Sequence, residues 1–547
     1  LGSAAPPTDA LAALDRAVYA AEAALRKGDR DAAEESYRTA VAEGSAILRH
    51  LALLDLRAGR AADALDALER LARTDPADLE LAYALARAYL ASGKPEPAAR
   101  LFETIARERP IPQTHLLIGR AWRDHGDPGR ARKALREALR LDPRARRAHL
   151  QLGLVALEER RRGGIEEAVA EFQAELAIAP GDPLASLELG VALVQHQRFA
   201  EALPLLEGAA RVEPPPARAL AYLGRAQLGL DRPREAAASL ERALREARSQ
   251  GANRPALLAI HLHLGQALQR LGRPVDAALH FAESQRLSAQ GTDDEREQLA
   301  RYLSDAAGPE EAPSDLAGVP ADPVFSGLVG APRAQLKARV TAALARAWSN
   351  LGVLQAQRER FDAAAELLEK AAALDPDFPQ VQSSLGVAYF NARKFDRATA
   401  PLARGLAAEP ANAGLRRMLG LAWLQTSEFG RAAELLAGDP GLHSDPSLQF
   451  AYGLALVKTG RAAEAEPVFS RLLATHGDTP ALSVLLGQAH AQQGDFDAAV
   501  AALQRALRLD PRAPEANATL GVIYLRQGHL PQAEQALRAE LEGQPGD

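Results

Sequence analysis

The chain has 547 residues, 47% of them hydrophobic and 25% charged, so it can bury several cores' worth of apolar surface but is too long for one compact domain. Its net charge of -6 is small for this length, which argues against a general nucleic-acid binder. The lack of cysteine excludes disulfides, zinc sites of the CxxC kind and thiol catalysis, and no apolar run approaches the roughly 18 to 20 residues that a membrane span requires.

The N-terminus begins with Leu1, followed by the small residues Gly2, Ser3, Ala4 and Ala5. This start fits a chain whose export signal has been removed, although a trimmed chain would begin in the same way. Arg strongly outnumbers Lys, which favours a GC-rich bacterial source. We therefore expect a periplasmic or extracellular bacterial protein in preference to a cytoplasmic one.

A pattern of small residues recurs from the first predicted helix to the last. An anchor Gly or Ala returns mostly every 33 to 34 residues and defines fourteen repeats, at Ala21, Ala52, Ala86, Gly119, Gly153, Gly190, Gly224, Gly265, Gly352, Gly386, Gly420, Gly453, Gly487 and Gly521. An Ala stands twelve residues after every anchor and a large apolar residue sixteen after it, if the repeat of Gly153 is allowed three extra residues. A period of this length indicates an array of helical units.

The spacing within one repeat predicts two antiparallel helices. Leu385, Gly386 and Tyr389 share one helical face, and Ala398 and Leu402 share a face of the next helix. The small anchor opposite Ala398 lets the two backbones approach, and Leu402 fills the gap above them. Since one helix pair cannot bury both of its faces, neighbouring pairs must stack into an open, all-α superhelical array.

These features resemble the tetratricopeptide repeat. The resemblance rests on Leu-Gly-x-x-Tyr at 385–389, the following Ala, the large apolar residue and the helix-ending "LDP" at 141–143, 374–376 and 509–511. It implies a right-handed solenoid of helix pairs and a scaffold that binds other proteins along its concave surface. The sequence itself offers no motif for catalysis, and we expect no cofactor and no small-molecule substrate. The resemblance covers nearly the whole chain except about residues 288–333.

The period fails between Gly265 and Gly352, which divides the chain into three parts. We predict an N-terminal array of about eight repeats over 1–287, an insert over 288–333, and a C-terminal array of about six repeats over 334–547. The insert begins with Thr292 and Glu295 in capping-box spacing, which predicts one helix. An acidic loop rich in Pro and Gly follows; it is a flexible hinge or docks into a groove through Val324, Phe325, Leu328 and Val329.

The family resemblance places the concave surface on the first helix of each repeat, three residues before, one after and four after the anchor. In the repeats read at these positions the residues are largely apolar: Leu150, Leu154, Leu157, Leu187, Val191, Val194, Val387, Phe390, Leu421, Leu424, Phe450, Leu454 and Val457. Such a groove suits an amphipathic helix, an extended apolar segment or another copy of the chain. Alternatively, much of it is buried between adjacent first helices.

Sites for chemistry are not expected. His261 and His263 are two residues apart and point to different sides of a helix, so we expect no metal pair there, and no P-loop, HExxH or dinucleotide motif occurs. Residues 120–162 contain twelve Arg and one Lys against six acids, which indicates a solvated face or a surface for an acidic partner. Trp122 alone could stack a base there, so the sequence does not favour nucleic acid.

The ends of the chain raise a second hypothesis, a structural subunit that assembles end to end. Repeat arrays normally finish with a polar capping helix, and none follows the last repeat. Two complementary ends would make an open filament. The candidate end residues are Leu11, Leu14 and Val18 at one end and Ala533, Leu537 and Leu541 at the other.

Overall fold

A computed structural model describes residues 7–159, 163–249, 252, 254–289, 331–378 and 380–543. The regular secondary structure of these residues is helical throughout, in 27 helices, which confirms the all-α prediction. The predicted helix and acidic loop of the insert, with Val324, Phe325, Leu328 and Val329, fall outside the described residues.

The helices follow one another with short connections. Those before the insert are α1 (Pro7–Arg26), α2 (Arg30–Arg57), α3 (Ala61–Thr74), α4 (Leu79–Ala91), α5 (Pro95–Glu108), α6 (Pro112–Asp124), α7 (Pro128–Leu141), α8 (Ala148–Glu158), α9 (Gly164–Ile178), α10 (Pro183–Gln195), α11 (Phe199–Ala209), α12 (Ala217–Gly229), α13 (Pro233–Ser249), α14 (Arg254–Arg270) and α15 (Pro274–Ala289). Those after it are α16 (Ala331–Gln357), α17 (Phe361–Leu374), α18 (Val381–Asn391), α19 (Phe395–Ala408), α20 (Ala413–Gln425), α21 (Phe429–Ala437), α22 (Pro446–Lys458), α23 (Ala462–His476), α24 (Pro480–Gln493), α25 (Phe496–Leu509), α26 (Ala516–Arg526) and α27 (Leu530–Gly543).

The turn inside each repeat has one recurring backbone feature. Seven residues after every anchor, with three more for Gly153, φ is positive. Glycine fills this position in nine of the fourteen repeats, but Gln197, Asp231, Glu359, Arg393 and Ser427 fill it in the others. A left-handed conformation costs a non-glycine residue roughly 1 to 2 kcal/mol. Because these five residues adopt it nevertheless, we infer that the packing of the two helices determines the conformation of the turn.

The contact between paired helices is the one predicted from the spacing. All fourteen alanines that follow the anchors by twelve residues are at most 2% exposed. A Cβ placed on any of the eleven anchor glycines would first meet the large apolar residue of the second helix, such as Leu402 for Gly386 and Leu503 for Gly487. At these anchors glycine therefore lets the two helices approach more closely than a residue with a Cβ would without a shift of its neighbour.

The chain divides into two compact units. One, here called the split unit, combines residues 1–54, 69–75 and 321–547, and the other, the central unit, combines 55–68 and 76–320. The grouping of residues 1–54 with the C-terminal half differs from the predicted division at 287 and 333. That division concerns the repeats along the chain and stays a prediction.

In the split unit, the N-terminal helices dock on α16. Asp15 of α1 accepts a hydrogen bond from Arg339 at 2.6 Å, and Arg358 binds both Asp31 and Glu34 of α2. Between these ion pairs the Asn350 amide donates to the buried Tyr37 hydroxyl at 2.7 Å. Through these contacts α1 and the first part of α2 form a helix pair that stacks on α16.

Helix α2 departs from the repeat pattern. It is continuous over Arg30–Arg57, so the second helix of the first repeat and the first helix of the second repeat form one helix. The expectation of a separate helix pair for every repeat is wrong here, because no proline interrupts residues 30–57 to end the first of them.

Candidate protein-binding site

The predicted groove residues of the central unit lie together but are closed to a partner. Leu150 and Leu154 on α8 are buried, as are Leu187, Val191 and Val194 on α10, and all belong to one hydrophobic core cluster. Leu157 is partly buried against the same cluster. The alternative of burial between adjacent first helices therefore describes this part of the predicted groove.

The predicted groove residues of the split unit are more open. Val387 and Phe390 lie on α18, Leu421 on α20, and Phe450 and Leu454 on α22, and each keeps part of its side chain exposed. We call these five residues the apolar stripe. The remaining two predicted residues, Leu424 and Val457, are buried beneath it.

The three helices that carry the stripe are neighbours in space. Helix α18 contacts α20 and α20 contacts α22, although a second helix intervenes in the sequence each time. The second helices cover the other side, for example where Leu436 of α21 packs against Gly420 of α20. The first helices therefore form one layer, and the stripe crosses three of them.

Charged side chains near the stripe are neutralised by neighbours. Arg417 contacts the buried Asp439 carboxylate at 3.3 Å and lies 3.7 Å from Asp445. On α22, Lys458 donates to Glu515 at 3.0 Å. This leaves an apolar surface with compensated charges at its border.

Glu515 shows how this border is balanced. Burial works to raise the pKa of Glu515, but hydrogen bonds from Gln488 and Lys458 outweigh it and hold the pKa below its ordinary value. Because the carboxylate already has two donors, it stays ionised and compensates Lys458. A ligand carboxylate would therefore compete with Glu515 for this lysine.

Two apolar residues of the last repeat occupy groove positions but were not among the predicted groove residues. Val522 and Leu525 of α26 stand one and four residues after Gly521, and each is 48% exposed. The same spacing rule would have found them. Gln488 and Ala491 occupy these positions on the intervening α24, so an apolar ligand that follows the stripe meets a polar step before Val522.

The predicted end residues are placed unequally. Leu14 and Ala533 are buried, and Leu11, Val18 and Leu537 are partly buried. Leu541 is 58% exposed on the last helix. The expectation that all six lie on open end faces is wrong for Leu14 and Ala533, because α1 packs in the core of the split unit and Ala533 faces its own helix partner.

The Arg-rich stretch is largely paired. Arg130 binds Glu96 at 2.7 Å, Arg132 binds Glu159 at 2.7 Å and also Glu167, and Arg140 binds Glu137 at 2.7 Å. Trp122 is buried, with the Arg130 guanidinium over its ring, and so is not available to stack a base. Arg160, Arg161 and Arg162 fall outside the described residues.

One histidine contact could not be predicted from spacing along the chain. His261 of α14 pairs with His280 of α15 and not with His263. The Nδ1 atoms of His261 and His280 are 2.9 Å apart. Burial lowers the pKa of both, and burial with the nearby Arg225 lowers the pKa of His263 to about 4. Within the described residues, no group of three or more His, Asp or Glu is arranged to hold a metal ion.

Comparison with known families decides the identity. A sequence model of the tetratricopeptide repeat matches residues 18–78, 116–183, 187–252, 223–292, 450–514 and 484–547, and a second of the same description matches 55–120 and 355–422. The chain belongs to the tetratricopeptide-repeat family. Proteins of this family are generally non-catalytic interaction scaffolds.

Solved tetratricopeptide-repeat structures resemble parts of the chain. MamA from Desulfovibrio magneticus RS-1, residue 41 to the end, is 24% identical, with 33% of this chain and 97% of that chain covered and a TM-score of 0.29. YrrB, described as a TPR protein with an unusual peptide-binding site, is 21% identical, with 30% and 87% covered and a TM-score of 0.28. The curated proteins contain no match.

None of the described helices combines the length and apolar character needed to cross a bilayer.

Proposed function

We propose that the chain is a protein-interaction scaffold whose split unit binds an apolar or amphipathic segment of another protein along the apolar stripe. The observation that carries this proposal is the partial exposure of Val387, Phe390, Leu421, Phe450 and Leu454 in one layer of first helices. Contiguous exposed apolar surface bordered by polar groups is characteristic of interaction sites.

The chemistry of the border favours an apolar ligand over a charged one. Arg417 is engaged by Asp439 and Asp445, and Lys458 by Glu515, so a ligand carboxylate would gain less from cations that are already compensated. Affinity in this site comes from covering the stripe, which favours an amphipathic helix laid into a groove.

Selection from a displayed library of short peptides against the full chain tests the proposal. We expect the selected peptides to carry spaced large apolar residues and to bind with little dependence on salt. Leu421→Glu should weaken their binding by about tenfold or more, because it places a charge in the apolar contact. Leu509→Glu is the matched control, since Leu509 is also exposed but lies at the end of a second helix.

Three results would count against the proposal. They are failure to select any peptide, equal loss of binding in both variants, and peptides that are acidic and released by salt.

End-to-end self-assembly is the second candidate, supported by the exposure of Leu541 and Leu530 on α27. It predicts filaments in negative-stain micrographs that disappear with Leu541→Lys. The burial of Leu14 weakens it, because that residue cannot contribute to an opposing end face. A chain that forms no filaments at any concentration would eliminate this candidate.

A further inference from the structure

Helix α15 of the central unit presents two large apolar side chains to solvent. Val275 is 76% exposed and Leu279 67%. They stand ten and fourteen residues after the anchor Gly265, on the second helix of their repeat. They therefore lie apart from the apolar stripe, which is formed by first helices.

The other repeats show that this placement is unusual. The two equivalent positions are exposed in all thirteen other repeats, and there they hold only Asp, Glu, Lys, Arg, Gln, Gly, Ala or Pro. The preceding repeat has Arg234 and Ala238, and the following one has Asp362 and Glu366. Packing within the array does not require a large apolar residue here, so Val275 and Leu279 are not explained by the fold.

The surroundings of the two residues extend the apolar surface. Ala278 and Ala282 are also exposed, and with Val275 and Leu279 they form a stripe at helical spacing along α15. At one end Arg273 pairs with Asp276 at 2.7 Å, and at the other Arg286 pairs with Glu283 at 2.6 Å. The surface is thus apolar in the middle and electrically balanced at both ends.

We propose that this face of α15 binds the same face of a second copy of the chain, in an antiparallel two-fold dimer. Two-fold pairing requires a surface that complements itself. In the antiparallel register that sets Leu279 against Ala282 of the second copy, the largest apolar side chain of the surface meets a small one, as close packing requires.

Charge supports the same register. Arg286 then lies beside Val275 and within reach of Asp276 of the second copy, and the opposed helix dipoles attract. Each end of this α15 surface already carries one Arg paired with one acid, so pairing the two copies does not force like charges together. Helix α15 has 16 residues and is about 24 Å long, so one helix pair covers less than a standard interface and the dimer is a weak, concentration-dependent one.

Sedimentation velocity of the full chain over a concentration series tests the dimer. We expect a monomer–dimer equilibrium that Leu279→Glu weakens by about tenfold or more. Ala238→Glu is the matched control, because Ala238 is the exposed equivalent of Leu279 in the preceding repeat, and it should leave the equilibrium unchanged. A strictly monomeric chain, or a dimer that Leu279→Glu leaves intact, overturns the proposal.

Cysteine cross-linking tests the register, since the natural chain has no cysteine. A mixture of Leu279→Cys and Ala282→Cys chains should form the mixed disulfide in preference to either uniform one. A monomer in which the Leu279→Cys thiol is protected from maleimide would show that another segment of the same chain covers α15, and would also overturn the proposal. Peptide binding by the apolar stripe is unaffected by either outcome, so the two proposals fail separately.

Discussion

Replacing Gly386 with alanine should destabilise the split unit, although alanine is the better helix former. The added Cβ would lie 2.7 Å from Leu402 Cγ and 2.8 Å from both Cδ2 and the backbone nitrogen of Leu402. Ordinary contacts between carbon atoms are about 3.5 to 4.0 Å, and the backbone atom cannot move aside as a side chain can. Helices α18 and α19 must therefore separate by nearly an ångström.

The size of the effect follows from two opposing contributions. Overpacking a close contact costs about 1 to 3 kcal/mol, while the helix propensity of alanine over glycine returns up to about 1 kcal/mol. With the full propensity gain, the net loss expected for Gly386→Ala is about 0 to 2 kcal/mol, centred on about 1 kcal/mol. Gly430 of α21 is the control, because a Cβ there meets nothing within 4 Å, so Gly430→Ala should be neutral or stabilise the helix by up to about 1 kcal/mol.

Native-state hydrogen exchange is the appropriate assay, since stacked repeats open locally and one global unfolding free energy does not describe them. In Gly386→Ala the amides of α18 and α19 should exchange faster than in the wild type. In Gly430→Ala the amides of α21 should exchange no faster than in the wild type. Equal protection of α18 in the wild type and Gly386→Ala, or the same sign of change in both variants, would refute the close-contact explanation of the anchor glycines.

Two further predictions concern the N-terminal docking and pH. Tyr37→Phe removes the buried hydroxyl that accepts from the partly buried Asn350 amide, and it should destabilise the docking of α1 and α2 by about 1 kcal/mol. The loss would be measured as faster proteolysis within residues 1–54, and unchanged proteolysis would contradict the contact. Because the folded pKa of His263 is about 4 and its ordinary value is 6.5, its stabilising contribution is complete above pH 6.5 and is lost as pH falls toward 4. Native-state hydrogen exchange of α14 should show that its opening free energy falls by about 3 kcal/mol more in the wild type than in His263→Gln between neutral pH and pH 4; parallel losses would show that His263 is not buried in its neutral form.

The repeat core could be predicted from spacing alone. Gly386, Ala398 and Leu402 meet as expected because the helical period fixes which residues share a face, and the same rule holds in every repeat. The partner of the N-terminal helices could not be predicted, because all repeats carry the same apolar pattern and any of them could stack on α16. The choice depends on individual polar contacts such as Tyr37 with Asn350, which no periodicity reveals.

The candidate site was predictable in position but not in accessibility. Val191 and Leu454 both stand one residue after an anchor glycine and are similar in character, yet Val191 is buried and Leu454 is partly exposed. Accessibility depends on what surrounds each first helix, which the repeat pattern does not contain. Val275 and Leu279 illustrate the converse, since their apolar character is plain in the sequence but only the exposure of the equivalent positions in other repeats makes it informative.

Hydrogen exchange of the full chain with and without a selected peptide tests most directly whether the first helices of the split unit form a receptor surface. The amides of α18, α20 and α22 should gain protection when the peptide binds, while those of α19, α21 and α23 stay unchanged. Protection confined to the second helices or to the central unit, or none in the split unit despite binding, would contradict the account.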